Sequence, residues 1–361
     1  MRSRLLTSHL TEIEPDILAL CSRPQDYDEN DKFKMMMNRI YGMLKAVFRT
    51  EDNVYILPAS FDTLDEIMLL NFLPSDGYAA TLKTASYETD ILQAAEQLGC
   101  TKNVVEIDFR DGKLSSIEKA LQKNEDIDIL FLPYCEDTVD LNGIAKICHD
   151  YAVLVAVDAT LAIGATTFGK DDFHADIVYA AGSSGLALPY GLSFVSLNEK
   201  AILFTERSVN TVRPKLVDLR IHKQAVHDNK PAVRISTTTL QMLDKRLARI
   251  QAAKIESMTA SYQTLTERLR TLLQNRGFKV YGDNILNCVS YVEIPATSER
   301  TVEELVKYLD EEQSWQVEQV FMLGKPMLKI CNFGHIQEHV IDMFVEALEK
   351  ALKVEKKDDE K

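Results

Sequence analysis

The sequence predicts an α/β protein: a large domain with a mostly parallel sheet covered by helices on both sides, and a smaller C-terminal α+β domain. Three observations carry this. Short apolar runs alternate with helical patterns from Phe33 to Ser196, the order expected of strands joined by crossover helices. Several runs, Val153–Val157 most plainly, are apolar at every position, as strands buried on both faces are. From Thr238 the pattern changes to a long charged helical stretch, followed by strands and helices of a second, smaller unit. The expected division is a large domain over 1–245, a small domain with its bridging helix over 246–352, and a charged tail over 353–361.

Each element follows from local pattern. Met36, Ile40, Met43, Leu44 and Val47 recur at helical spacing through Phe33–Phe48. The apolar strand Val54–Leu57 leads to a helix from Phe61 to Phe72, with Ser60 as its expected N-cap. A weaker strand begins at Thr81, and an amphipathic helix over Thr89–Leu98 stops at Gly99, a residue suited to the left-handed turn after a helix. Strands at Val104–Ile107 and Ile127–Leu132 flank a helix at Leu114–Leu121, and a helix over Ile144–Tyr151 precedes Val153–Val157. Asp176–Tyr179 and Leu192–Ser196 complete the large sheet. One helical run is expected from Leu240 to Asn275, stopped by Gly277, then strands near Phe278–Tyr281 and Cys288–Ile294 and helices at Val302–Leu309 and Val340–Leu352.

Composition narrows the classes of function. Over 361 residues, 46% are hydrophobic and 27% charged, ordinary for a globular chain with a large core. A formal net charge of −14 argues against nucleic acid as a partner, which would need clustered Lys and Arg. Cys21, Cys100, Cys135, Cys148, Cys288 and Cys331 are scattered without a CxxC pair, the pattern of reduced, mostly buried thiols. His335 and His339 stand four apart but lack HExxH order, so a solvated helix face is expected and no metal. No run reaches the roughly 18 apolar residues of a membrane span, and the N-terminus has no signal-peptide core. A cytoplasmic protein without a membrane partner is the expectation.

A more specific signal lies in a series of landmarks. Leu5-Leu6-Thr7-Ser8-His9-Leu10-Thr11-Glu12 stands near the start, Asn71-Phe72-Leu73-Pro74 spans the end of the second helix, and Val155-Ala156-Val157-Asp158-Ala159 ends a buried strand. Further on come Gly182-Ser183-Ser184-Gly185-Leu186, Pro189-Tyr190-Gly191 and Phe333-Gly334. In order and spacing these resemble the class V aminotransferases, the serine–pyruvate and alanine–glyoxylate type of the fold-type-I pyridoxal-phosphate (PLP) family. The resemblance spans nearly the whole chain and implies a fold-type-I aminotransferase-like architecture, a homodimer, and PLP as the family's cofactor.

The resemblance also assigns expected roles. Asp158 falls on the aspartate that keeps the cofactor's ring nitrogen protonated; read from the residues alone, it caps the turn Thr160–Gly164. Ser184 falls on the lysine whose amine forms the Schiff base with PLP, and a hydroxyl cannot form an imine. Ser60 lies in the strand-to-helix turn that holds the cofactor phosphate in the family. Here that turn reads Leu57-Pro58-Ala59-Ser60-Phe61-Asp62, where Pro58 has no N–H and the carboxylates of Asp62, Asp65 and Glu66 oppose an anion at the helix start. Ser183 and Thr138 are candidate cofactor contacts, and Tyr87 either stacks on the ring or packs in the core. Lys329 falls on the arginine that forks onto a substrate carboxylate and keeps charge without bidentate geometry; it reads equally as an exposed residue on an edge strand. Arg234 binds an anion across the dimer interface or pairs with the acidic first helix. Two functions follow: a homodimer that has lost transamination and binds a small anionic metabolite or a heteromeric partner, or an enzyme using PLP or pyridoxamine phosphate without the lysine.

Overall fold

The computed structural model describes residues 4–23, 30–74, 76–84, 90–135, 138, 140–207, 213–282 and 286–353. A two-residue strand, β1 (Arg4–Leu5), and a short helix, α1 (Pro15–Leu18), precede the first long helix, α2 (Asp31–Phe48). The large lobe then alternates: β2 (Val54–Leu57), α3 (Phe61–Phe72), β3 (Tyr78–Lys83), α4 (Ile91–Gln97), β4 (Val104–Asp108), α5 (Leu114–Lys123) and β5 (Ile127–Pro133). It continues through α6 (Leu141–Asp150), β6 (Leu154–Asp158), β7 (Ile177–Ala181), β8 (Ser193–Leu197), α7 (Glu199–Phe204) and α8 (His222–His227). The seven strands run in the order β2-β8-β7-β6-β5-β3-β4. From β4 through β7 all neighbours are parallel, and β8 is antiparallel to both β7 and β2.

Alternate residues of the central strands feed two cores. Leu130, Leu132, Val155 and Val157 face the helices α2, α5 and α6, while Ile129, Phe131 and Ala156 face α3, α4 and α7. This two-sided burial is the reason the strands are apolar throughout.

Two long helices follow, α9 (Thr237–Ala253) and α10 (Ile255–Asn275), then β9 (Lys279–Gly282), β10 (Val289–Glu293), α11 (Val302–Gln313), β11 (Trp315–Gln316), β12 (Glu318–Met322), β13 (Lys325–Cys331) and α12 (Glu338–Ala351). Strands β12-β13-β10-β9 form an antiparallel sheet. Its core of Leu269, Leu305, Leu328, Phe344 and Leu348 also takes in Leu6 from the N-terminal segment. Strand β1 pairs in parallel with β11.

Three expectations are corrected. The single helix over 240–275 is two, because Lys254 takes a left-handed φ of 64° between them. Lys329 does not lie on an edge strand: β13 is flanked by β12 and β10, and Lys329 is only 7% exposed. Ser60 occupies the residue before α3 but makes no side-chain capping bond. Gly99 and Gly277 do end their helices with positive φ, 69° and 83°.

Candidate functional site

At the carboxyl ends of the parallel strands, where ligands bind in open α/β sheets, a cavity of about 300 Å³ lies between the lobes. Strand β6 delivers Asp158, whose Oδ1 accepts the Thr160 N–H at 2.9 Å. Tyr179 on β7 is its partner in register. Helix α3 presents Phe61, Leu64 and Asp65 on one face, as spacings of three and four place them. Asp90, just ahead of α4, adds a further carboxylate.

Asp65 feels the charge of Asp158. Burial and the charge of Asp158 push the Asp65 carboxyl up to about 8, against a hydrogen bond from Tyr179. Burial also pushes Asp158 up, against the two hydrogen bonds it takes from Thr160. Two enclosed carboxylates whose charges oppose each other resist ionising together, so the pair keeps a proton to higher pH than carboxyls in water do.

The small lobe closes the other side with Tyr291, Val320, Phe321 and Lys329. Lys329 is paired in register with both Tyr291 and Glu318, and its Nζ lies 3.5 Å from Glu318 Oε2. Burial would push the Glu318 carboxyl up, but Lys329, His9 and the hydrogen bonds from Ser8 outweigh it and hold it below the usual range. Both the N–H and the Oγ of Ser8 donate to Glu318, at 2.6 and 2.7 Å. The charge of Lys329 is therefore matched within the protein.

The N-terminal segment crosses the cleft. His9 stacks on Phe61 with ring centroids 4.1 Å apart and planes 12° from parallel, over the start of α3, and burial lowers its pKa. The Ser8 carbonyl accepts the Ser184 Oγ–H at 2.6 Å, and Thr11 Oγ1 donates to the Ser183 carbonyl at 3.2 Å.

The loop after β7 is tightly closed. Gly182 N donates to Leu192 O and Leu188 N to Gly182 O, and Ser184 is fully buried. A Cβ on Gly185 would lie 2.4 Å from the Ile163 carbonyl, so the loop and the turn after β6 touch only because this residue is glycine.

Of the residues singled out in the sequence, Asp158 and Lys329 line the cavity. Ser60, Ser183 and Ser184 flank it without lining it, and the Ser183 Oγ has no hydrogen-bond partner. Thr138 is buried with its hydroxyl donated to Pro133 O at 2.6 Å, inside the turn after β5. Arg234 is exposed ahead of α9, away from the cavity lining. Tyr87 lies outside the described residues. Sequence reasoning did not foresee Tyr179, Tyr291, Asp90 and Phe321 as cavity walls, nor Glu318 as the partner of Lys329. Among the described residues no group of His, Cys, Asp and Glu could hold a metal ion, and no helix is long and apolar enough to cross a membrane.

The fold is that of the fold-type-I aminotransferases. Alanine–glyoxylate aminotransferase from Nostoc sp. superposes with a TM-score of 0.86 at 19% identity, covering 98% of this chain and 96% of that one. Pyridoxamine–pyruvate aminotransferase from Mesorhizobium loti follows with a TM-score of 0.83 at 17% identity, over 98% and 92%. Relatives by sequence are of the same kind. The alanine–glyoxylate aminotransferase of Mus musculus is 23% identical over 305 residues, 79% of this chain and 72% of that protein. The serine–glyoxylate aminotransferase of Methylorubrum extorquens is 26% identical over 216 residues, 57% and 54% of the two chains. No family model matches the chain.

Proposed function

We propose that this protein is an aminotransferase-like homodimer that does not transaminate and instead binds a ligand in the cleft between its lobes, acting as a ligand-binding or partner-regulating protein. The observation that carries the reading is Ser184. It stands where the family resemblance sets the Schiff-base lysine, it offers no amine, and its hydroxyl is committed to the Ser8 carbonyl. Its loop is closed by its own hydrogen bonds and contains no lysine.

The other residues are a poor fit to PLP. The turn that would cradle a phosphate has Pro58, which lacks an N–H, and its helix begins with Phe61 stacked on His9. Asp62 sits in the first turn of α3, where it competes with an anion for the positive helix end. Lys329, the candidate for a substrate carboxylate, is already paired with Glu318.

The test is the absorbance of the purified protein incubated with PLP and then with borohydride. The expected result is no reducible aldimine band and no transfer of an amino group between alanine and glyoxylate; a reducible band overturns the reading. Size-exclusion chromatography with light scattering should give a dimer of about twice the 40.8 kDa chain mass. Asp158, which lines the cavity at the end of β6, favours one second reading, an enzyme that uses pyridoxamine phosphate without a lysine. That reading predicts a thermal shift with pyridoxamine phosphate that Asp158→Asn removes.

A further inference from the structure

The cavity's charge has the opposite sign from what a phosphorylated ligand needs. A phosphate monoester carries about 1.5 to 2 negative charges at pH 7. Asp65, Asp90 and Asp158 line the same space, and the ammonium of Lys329 is answered by Glu318 at 3.5 Å. At the helix end where backbone N–H groups could hold an anion, the His9–Phe61 stack lies across the approach.

We propose that the cavity takes a small organic cation, a primary ammonium carried on an apolar or aromatic body, and rejects phosphorylated ligands; this rests on the reading that the cleft binds a ligand without imine chemistry. The walls fit both parts of such a molecule. Asp158 gives one oxygen to the Thr160 N–H and lies at the cavity beside Asp65, so an ammonium placed there meets two carboxylates that otherwise repel each other. Tyr179, Tyr291 and Phe321 supply aromatic surface, which attracts a cation over the ring face and packs against an apolar body. A cavity of about 300 Å³ stands at the small end of ligand pockets and suits a molecule of one ring or a short chain.

Binding should release a proton. Without ligand, Asp65 keeps its proton up to about pH 8 because it is enclosed beside Asp158; an ammonium takes the proton's place. The groups facing this pair are Asp90 before α4, Tyr179 on β7, and Tyr291 and the Lys329–Glu318 pair on the small lobe. His9 faces it from the N-terminal segment, with burial favouring its neutral form. Loss of the proton from the carboxyl pair strengthens cation binding as pH rises, and a neutral His9 acts in the same direction.

The experiment is calorimetric titration of the full chain with benzylammonium and 1,4-diaminobutane, compared with inorganic phosphate and PLP, at pH 6, 7 and 8. The ammonium probes should bind, with affinity rising roughly tenfold per unit up to about pH 8, and phosphate should not. Asp158→Asn should weaken the probes at least tenfold, and Asp65→Asn, which removes the displaced proton, should flatten the pH dependence. Failure of both ammonium probes to bind, or binding indifferent to Asp158→Asn and to pH, overturns the inference. Phosphate or PLP bound non-covalently in preference to the amines also overturns it, while leaving the absence of transamination standing. A borohydride-reducible PLP adduct overturns the proposed function itself.

Discussion

The loop after β7 and the wall of the cavity lie side by side yet are built on opposite principles. In the loop, polar groups largely find partners inside the protein: Gly182 closes with Leu192 and Leu188, and Ser184 donates to Ser8. Along the wall, Asp65 and Asp158 are held together against their mutual repulsion. The loop is organised for packing and the wall for something that arrives from outside. Loss of an amine at Ser184 is compatible with a well-satisfied loop, whereas a pair of opposed carboxylates lowers stability unless a proton or a ligand answers it.

Four substitutions test that contrast, in order of expected size. Lys329→Met removes the cation facing Glu318 and should cost about 4 kcal/mol in denaturant unfolding at neutral pH; adding Glu318→Gln should recover most of the loss. Asp65→Asn should act in the opposite direction. The folded Asp65 carboxyl is raised to about 8 from 3.8, so the folded state binds more protons than the unfolded one between these values and stability falls as pH rises through that window. Asn removes the fall, so the variant is more stable than wild type at pH 9 and gains nothing at pH 3, read from chemical denaturation across pH. If Asp65→Asn destabilises at pH 9, the two carboxylates of the wall do not oppose each other. Gly185→Ala forces a Cβ against the Ile163 carbonyl and should cost about 2 kcal/mol, visible as a lower Tm. Ser184→Ala leaves the Ser8 carbonyl without its donor and should cost about 1 kcal/mol; a larger loss would make this hydroxyl a keystone of the loop.

Much of the fold is legible in the sequence, because burial of strands on two faces and helices on one leaves a periodic trace. Val153–Val157 and the helix from Phe61 to Phe72 are read within a residue or two of where they lie. The break at Lys254 leaves no such trace, since neither Gly nor Pro marks it. Strand β12 was also hidden: Glu318-Gln319-Val320-Phe321-Met322 exposes Phe321 and turns Glu318 inward, the reverse of the usual alternation, and without β12 the strand bearing Lys329 reads as an edge. In the site, Asp158 and Lys329 are found because each sits in a recognisable segment. The other cavity walls are not, because Asp90, Tyr179, Tyr291 and Phe321 come from four separate parts of the chain and meet only through the topology.

The N-terminal crossing has a consequence for the order of assembly. Ser8 is bound to Glu318, 310 positions away in the chain, Leu6 O accepts from Cys331 N, and Glu12 bridges to Gly334. On a ribosome the segment around Ser8 emerges 310 residues ahead of Glu318, and its docking site is complete only when β13 has been made. The large lobe can collapse on its own strands while this segment waits, and contacts of such long separation form slowly. Closing the cleft is then among the last events of folding, and a label near Ser8 should report it after the sheet has formed.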